Sequence, residues 1–106
     1  MQVIPVSALP NQTFNIVLDG QYCTISLRWK QKRLYLDLDV DSIAVRRGAV
    51  CENRADILQS PTVLFRGSLH FWDNEGDTPP EWARLDSRYF LLYVSKDEDL
   101  PESLKR

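Results

Sequence analysis

The chain has 106 residues, of which 43% are apolar and 26% charged, and a formal net charge of −2. This length fits one domain with a single core, and the composition excludes intrinsic disorder for most of the chain. The acidic balance argues against a general nucleic-acid binder, and the longest apolar run, 89–94, is too short for a membrane helix. We therefore expect neither nucleic acid nor a membrane as a partner.

Residues 1–12 are predicted to form an extended N-terminal arm. Pro5 and Pro10 lack the amide hydrogen that a strand donates, so this segment cannot complete a hydrogen-bond ladder. The arm also carries several apolar side chains, which disfavours a free tail. Two arrangements follow: the arm packs along the edge of its own domain, or it adds a strand to a neighbouring subunit.

The stretch 13–40 predicts a three-stranded antiparallel meander. Apolar residues alternate with polar ones on both sides of Asp19-Gly20, a dipeptide suited to a two-residue hairpin turn. A charged four-residue reversal at 30–33 then starts the third strand. This register places all the apolar side chains on one face, which another element must cover. The predicted cross-strand pairs are Leu18–Gln21, Ile16–Cys23, Phe14–Ile25, Trp29–Leu34, Leu27–Leu36 and Ile25–Leu38.

The segments after residue 40 give weaker signals. Residues 43–51 include Arg46-Arg47-Gly48 and are interpreted as a short hairpin or an irregular crossover. Residues 52–59 have tolerable helix formers and no Gly or Pro, so they allow two turns of helix. From 62 to 72 apolar residues alternate again, which predicts the strand that covers the meander, with Gly67 marking a bulge or a close backbone approach.

The end of the chain predicts a turn, a strand and a tail. The acidic run 73–77 around Gly76 is typical of a turn, whereas the strand 89–94 is apolar at every position. Such a strand is either central in a two-layer structure or has one face against another molecule. The charged segment 96–106 is predicted to be a mobile tail.

Together these elements predict an all-β fold. We expect an antiparallel meander curled into a small sandwich or a partly open barrel, with six or seven strands and at most one short helix. The predicted β domain spans residues 13–95.

No group of side chains predicts an enzyme. His70 is the only histidine, and no serine or cysteine has the sequence context of a nucleophile. Cys23 and Cys51 lack a metal-binding spacing and are interpreted as reduced structural thiols. The acidic cluster at 37–41 is interpreted as solvent-facing strand charge and that at 73–77 as a common acidic turn, rather than as cation sites. We therefore predict no catalytic, metal-binding or cofactor-binding residue.

The aromatic side chains are more informative about partners. Tyr22 and Tyr35 fall on the polar face of the predicted meander, and Tyr89 and Tyr93 share one face of the last strand. Exposed aromatic groups are typical of protein interfaces and of sugar-binding platforms, and they also occur in small secondary cores. We favour protein contact, because the clustered amides of a sugar platform cannot be located. The candidate partner-contact residues are Val3, Ile4, Val6, Tyr22, Tyr35, Trp72, Tyr89 and Tyr93.

Five short motifs carry a family resemblance. The motifs are Ile4-Pro5-Val6, Pro10-Asn11-Gln12-Thr13-Phe14, Leu18-Asp19-Gly20-Gln21-Tyr22, Leu27-Arg28-Trp29, and Tyr89-Phe90-Leu91-Leu92-Tyr93-Val94 followed by an acidic tail. With them the sequence resembles the small baseplate plug proteins of contractile-tailed phages and prophages. The resemblance implies a non-enzymatic structural subunit at the baseplate hub, near the central tube, with hub and tube-initiation proteins as partners and no cofactor. It further implies assembly in the host bacterial cytoplasm and a final location in the virion tail baseplate.

The main alternative is a small β binding module for glycans or peptides, which would present a concave aromatic groove. An enzyme would need His70 beside an acid or a nucleophile in a pocket. Self-association of the chain is left open.

Overall fold

The computed structural model describes residues 1–59 and 64–104, and this part of the chain forms two antiparallel sheets and no α-helix. One sheet has the order β2-β3-β4-β5 and the other the order β1-β7-β6. The predicted all-β fold is confirmed. The strands are β1 (Gln2–Ile4), β2 (Asn11–Leu18), β3 (Gln21–Lys30), β4 (Arg33–Val40), β5 (Ile43–Val50), β6 (Ser68–Asp73) and β7 (Tyr89–Val94), and short 3₁₀ helices lie at Trp82–Arg84 and Glu102–Leu104.

The meander of β2, β3 and β4 has the predicted register. Phe14 pairs with Ile25, and Trp29 pairs with Leu34, as do the other expected cross-strand partners. Because side chains alternate between faces, this register places the apolar side chains on one side, where Ile25, Leu27 and Leu38 are fully buried and Phe14 is half-buried. The meander prediction is therefore confirmed residue by residue.

Three tight turns fix this register. The central residues Asp19-Gly20, Gln31-Lys32 and Asp41-Ser42 all have positive φ angles, between 50° and 74°. Positive φ at both positions is typical of the hairpin turn whose twist matches the flanking strands. The predicted four-residue reversal at 30–33 is therefore a two-residue turn closed by a Lys30–Arg33 pair.

The three-stranded sheet covers the apolar face of the meander. Leu69, Phe71 and Leu91 from this sheet are fully buried and belong to the same cluster as Ile25 and Leu36 from the other sheet. The covering strand β6 was predicted from residue 62, but it begins at Ser68, and residues 60–63 lie outside the described part of the chain.

Gly67 makes the close backbone approach that was predicted. A Cβ atom at this position would lie 2.6 Å from the ring of Tyr93 and 2.6 Å from the carbonyl oxygen of Val94. The glycine also has a φ angle of +96°. Only a residue without a side chain fits here, just before β6 begins.

The helix considered for residues 52–59 is not present. Arg54 has a φ angle of 72°, outside the range of a right-handed helix, and its amide donates to the carbonyl of Phe71 at 2.7 Å. The amide of Ile57 donates to the carbonyl of Leu69 at 2.8 Å. Because these amides bond to the edge of β6, they cannot form a helical ladder.

The segment 43–50 is one bulged strand, neither a separate hairpin nor a crossover. β5 pairs with β4 along its whole length, with register shifts around Leu38. Gly48, with a φ angle of +63°, donates its amide to the carboxylate of Asp37 at 2.7 Å. A bulge of this kind absorbs an extra residue and bends the strand while pairing continues.

Both ends of the chain pack on the three-stranded sheet. β1 pairs with β7 of its own domain, the first of the two arrangements considered for the arm, and it buries Ile4 completely. In the charged tail, Leu104 is buried against Leu92 and Val94, and Glu98 forms an ion pair with the N-terminal amine. The composition of the tail did not indicate this docked position.

Within the described ranges, no helix combines the length and the apolar character needed to cross a membrane.

The Gln31-Lys32 turn predicts a stabilising double substitution. Changing Gln31→Asn together with Lys32→Gly should raise the free energy of unfolding by about 1 kcal/mol, because Asn and Gly adopt positive φ at lower cost. Urea denaturation of both proteins measures the difference. As a control, Lys30→Gly lies within β3 and should lower the free energy of unfolding by roughly 0.5 kcal/mol. Equal destabilisation by both changes would contradict the assigned turn.

Candidate partner-contact surface

The structure divides the eight predicted contact residues into exposed and buried groups. Val3 and Tyr22 are exposed, with 51% and 47% of their surface accessible, and Tyr35 and Trp72 are half-buried. These four lie on the outer faces of two different sheets, so they do not form one cluster. The other four, which are buried, are Ile4, Val6, Tyr89 and Tyr93.

The two tyrosines of β7 are core residues and not surface groups. The hydroxyl of Tyr93 donates to the Asp19 carboxylate at 2.7 Å and lies 2.8 Å from the carbonyl of Arg66. Burial, with the carboxylate beside it, raises the pKa of Tyr93 above its usual value. The hydroxyl of Tyr89 contacts Thr78 at 2.8 Å. Because these residues tie β7 to the surrounding turns, we leave them out of the proposed contact surface.

The outer face of the four-stranded sheet is mostly polar. Thr13 bonds to Ser26 at 2.9 Å, and the hydroxyl of Thr24 donates to Asn15 at 2.8 Å. Such cross-strand pairs stabilise the face without burying apolar area. This face therefore stays in contact with solvent in the isolated chain.

An apolar pair interrupts this polar face near the β2–β3 turn. Val17 lies directly opposite Tyr22 in the ladder, and 58% of Val17 is accessible. Tyr22 was predicted as a contact residue from the sequence, whereas Val17 was not. The alternation along β2 nevertheless places Val17 on the outward face, where an apolar residue is unexpected. We call these two residues the Val17–Tyr22 patch.

A shallow groove of about 420 Å³ lies at the opposite end of the same sheet, near the β3–β4 turn. Trp29 and Tyr35 supply aromatic surface, and Arg28 and Lys30 supply positive charge. Asn11 and Gln31 add the amide groups that could not be placed from the sequence. We call this feature the Trp29–Tyr35 groove.

The outer face of the three-stranded sheet is apolar and partly covered. Trp72 and Phe90 are half-buried there, and Leu100 and Leu104 of the tail pack against the same cluster. The guanidinium of Arg54 lies 5.4 Å from the centre of the Trp72 ring, within the range of a cation–π contact. The C-terminal tail and Arg54 of the same chain therefore already cover part of this face.

The acidic turn 73–77 is held by partners within the chain. Asp73 is buried and accepts from Arg88 at 2.8 and 2.9 Å, from the Glu75 amide and from the Thr78 amide. The Arg88 guanidinium holds the pKa of Asp73 well below its usual range. Among the described residues, no three His, Cys, Asp or Glu side chains converge as metal ligands.

His70 is also accounted for by local contacts. The buried ring has Nδ1 2.7 Å from the carbonyl of Arg54 and Nε2 2.7 Å from the hydroxyl of Ser68. These bonds fasten the irregular segment 53–58 to β6. Cys23 and Cys51 are buried free thiols, and burial raises the pKa of Cys23 to about 11.

The family comparison covers most of the chain. The family model described as "Cyanophage baseplate Pam3 plug gp18" matches residues 1–97. A comparison with curated proteins finds no match. The matched range includes both sheets, the Val17–Tyr22 patch and the Trp29–Tyr35 groove.

Serine substitutions distinguish the surface tyrosine from the core tyrosine. Tyr22→Ser should change the free energy of unfolding by about 0.5 kcal/mol or less, because its side chain is half-exposed on a solvated face. Tyr93→Ser should lower it by about 3 kcal/mol, because a large buried ring and the hydrogen bond from its hydroxyl to Asp19 are lost. Chemical denaturation measures both. Equal effects would contradict the assignment of Tyr93 to the core.

Asp73 should make stability dependent on pH. Because its pKa is depressed in the folded chain, its stabilisation is present above the unfolded-state pKa of about 3.9 and is lost as the pH falls further. Asp73→Asn should lower the free energy of unfolding at neutral pH by about 2 kcal/mol, and the loss on acidification should be smaller than in the wild type. Asp86→Asn, the same change at an exposed position, is the matched control. An unchanged pH profile for Asp73→Asn would refute this role.

Proposed function

The chain belongs to the family of cyanophage baseplate plug proteins, whose members are structural and non-enzymatic, and we propose that it occupies the plug position at the baseplate hub. At that position it lies near the central tube and contacts the hub and tube-initiation proteins. The protein is thus a structural component of the phage baseplate in the virion.

The family match over residues 1–97 is the observation that carries this proposal. The architecture supports it, because a plug must keep one shape among several neighbours. Two sheets sharing one core, tight two-residue turns and both chain ends docked on the domain restrict internal motion. The chain is therefore suited to fill space and hold neighbours in place.

We propose that partner proteins contact the outer face of the four-stranded sheet, centred on the Val17–Tyr22 patch. Both side chains are exposed in the isolated chain, and aromatic residues are enriched at protein interfaces. Around them lie hydroxyl and amide groups that suit a polar rim. Val3, Tyr35 and Trp72 remain candidates for additional contacts, since none of them is fully buried.

Incorporation of patch variants into baseplates tests the proposal. The double variant Val17→Ser/Tyr22→Ser should fold normally but should be incorporated at about one tenth of the wild-type level or less, because a central apolar anchor of the interface is lost. Quantitative mass spectrometry of purified baseplates gives the occupancy, and electron cryo-microscopy locates the chain.

Leu9→Ser is the matched control, because Leu9 is 49% accessible and lies on the connection between β1 and β2. The control should be incorporated like the wild type. Normal incorporation of the double variant would rule out the patch as a contact. Density for the chain at the baseplate periphery would rule out the proposed hub position.

A further inference from the structure

The charged side chains are distributed unequally between the two ends of the four-stranded sheet. At one end, residues 28–33 carry four cationic side chains and no acidic one. We call this the basic end. Lys30 and Arg33 pair across the hairpin, so these charges are held close together on a tight turn.

Only part of this positive charge is neutralised within the chain. Arg28 pairs with Asp37 at 2.9 Å, and Arg33 pairs with Glu52 at 3.0 Å. Lys30 and Lys32 are exposed and form no ion pair with any residue in the described ranges. The basic end therefore presents two uncompensated ammonium groups beside the Trp29–Tyr35 groove.

The opposite end of the molecule is acidic. Asp19 lies in the β2–β3 turn, and its bond to Tyr93 places the end of β7 beside it. The exposed residues Asp97 and Asp99 follow shortly after β7, and Glu98 lies between them. Lys96, Arg66 and the N-terminal amine offset some of this charge. We call residues 97–101 the acidic segment.

The two ends are separated by the length of strand β3. This strand has ten residues, so it spans about 30 Å. That length matches the longest dimension of the chain, 31 Å. The separation means that one chain cannot join its own basic and acidic ends, whereas two copies can.

We propose that the acidic segment of one copy binds the Trp29–Tyr35 groove at the basic end of a second copy. A second copy fits this groove because of complementary charge: the segment exposes Asp97 and Asp99, whereas Leu100 packs against its own domain. The groove is lined by Lys30, Trp29 and Tyr35, and the exposed Lys32 lies on the same turn. The exposed charges of the two surfaces are therefore complementary.

This contact joins different surfaces of the two copies, so it is head-to-tail. A heterologous contact of this kind builds a ring when its rotation closes and a stack when it does not. It deepens the proposed plug function by naming a second copy as one neighbour, and it rests on that function for its place in the baseplate. Because the charges are exposed, the contact should weaken as salt screens them.

Sedimentation velocity of the purified full chain tests self-association. The wild type should associate in a concentration-dependent manner at about 0.02 M salt and dissociate at about 0.5 M salt, where the screening length is much shorter. Lys30→Gln/Lys32→Gln and Asp97→Asn/Asp99→Asn should each weaken self-association at least tenfold. Asp86→Asn, which removes an exposed acid between β6 and β7, should associate like the wild type.

Mixing the two double variants separates head-to-tail contact from other arrangements. Each variant keeps one intact surface, so an equal mixture should form a 1:1 complex that does not grow further. A monomeric wild type at low salt, or no complex in the mixture, would overturn the proposal. Normal self-association together with failed baseplate incorporation would instead reject the proposed plug function alone.

Discussion

The constraint on which this structure depends is the apolar face of the β2–β4 meander. Strict alternation and two tight turns place Ile25, Leu27 and Leu36 on one surface. Exposing these apolar side chains to water would cost free energy, so another element must cover them. The remainder of the chain supplies the cover. The strands β6 and β7 provide the second layer, and the N-terminal strand extends it at one edge. The C-terminal tail is not part of this cover, because Leu104 packs on the outer face of the second layer.

The meander was predictable because alternation and turn chemistry are local signals that agree with each other. The segment 52–59 was not, because its amides bond to β6 at positions far away in sequence, which outweighs weak helix propensity. The bulge at Gly48 depends on a carboxylate from another strand, Asp37, so composition alone suggested a reversal. Features that depend on hydrogen bonds between residues distant in sequence could therefore not be predicted.

The contact surface shows the same limit. The outward positions of Tyr22 and Tyr35 followed from alternation, but the strand 89–94 is apolar on both faces and gave no such guide. Its tyrosines are buried because they face the core between the two sheets, whereas the tail packs against Leu92 and Val94 on the other face. The solvated outer face of the four-stranded sheet carries the exposed Val17–Tyr22 patch, on which the proposed partner contact is centred.

Hydrogen exchange of the backbone amides tests most directly whether the two sheets share one core. If the second layer is the necessary cover of the meander, the slowest amides of β3 and β7 should open only with global unfolding and report the same free energy. The opening free energies of the amides in both strands should also fall equally as the urea concentration rises. Amides of β7 that exchange through a separate opening of much lower free energy, while β3 stays protected, would contradict the account.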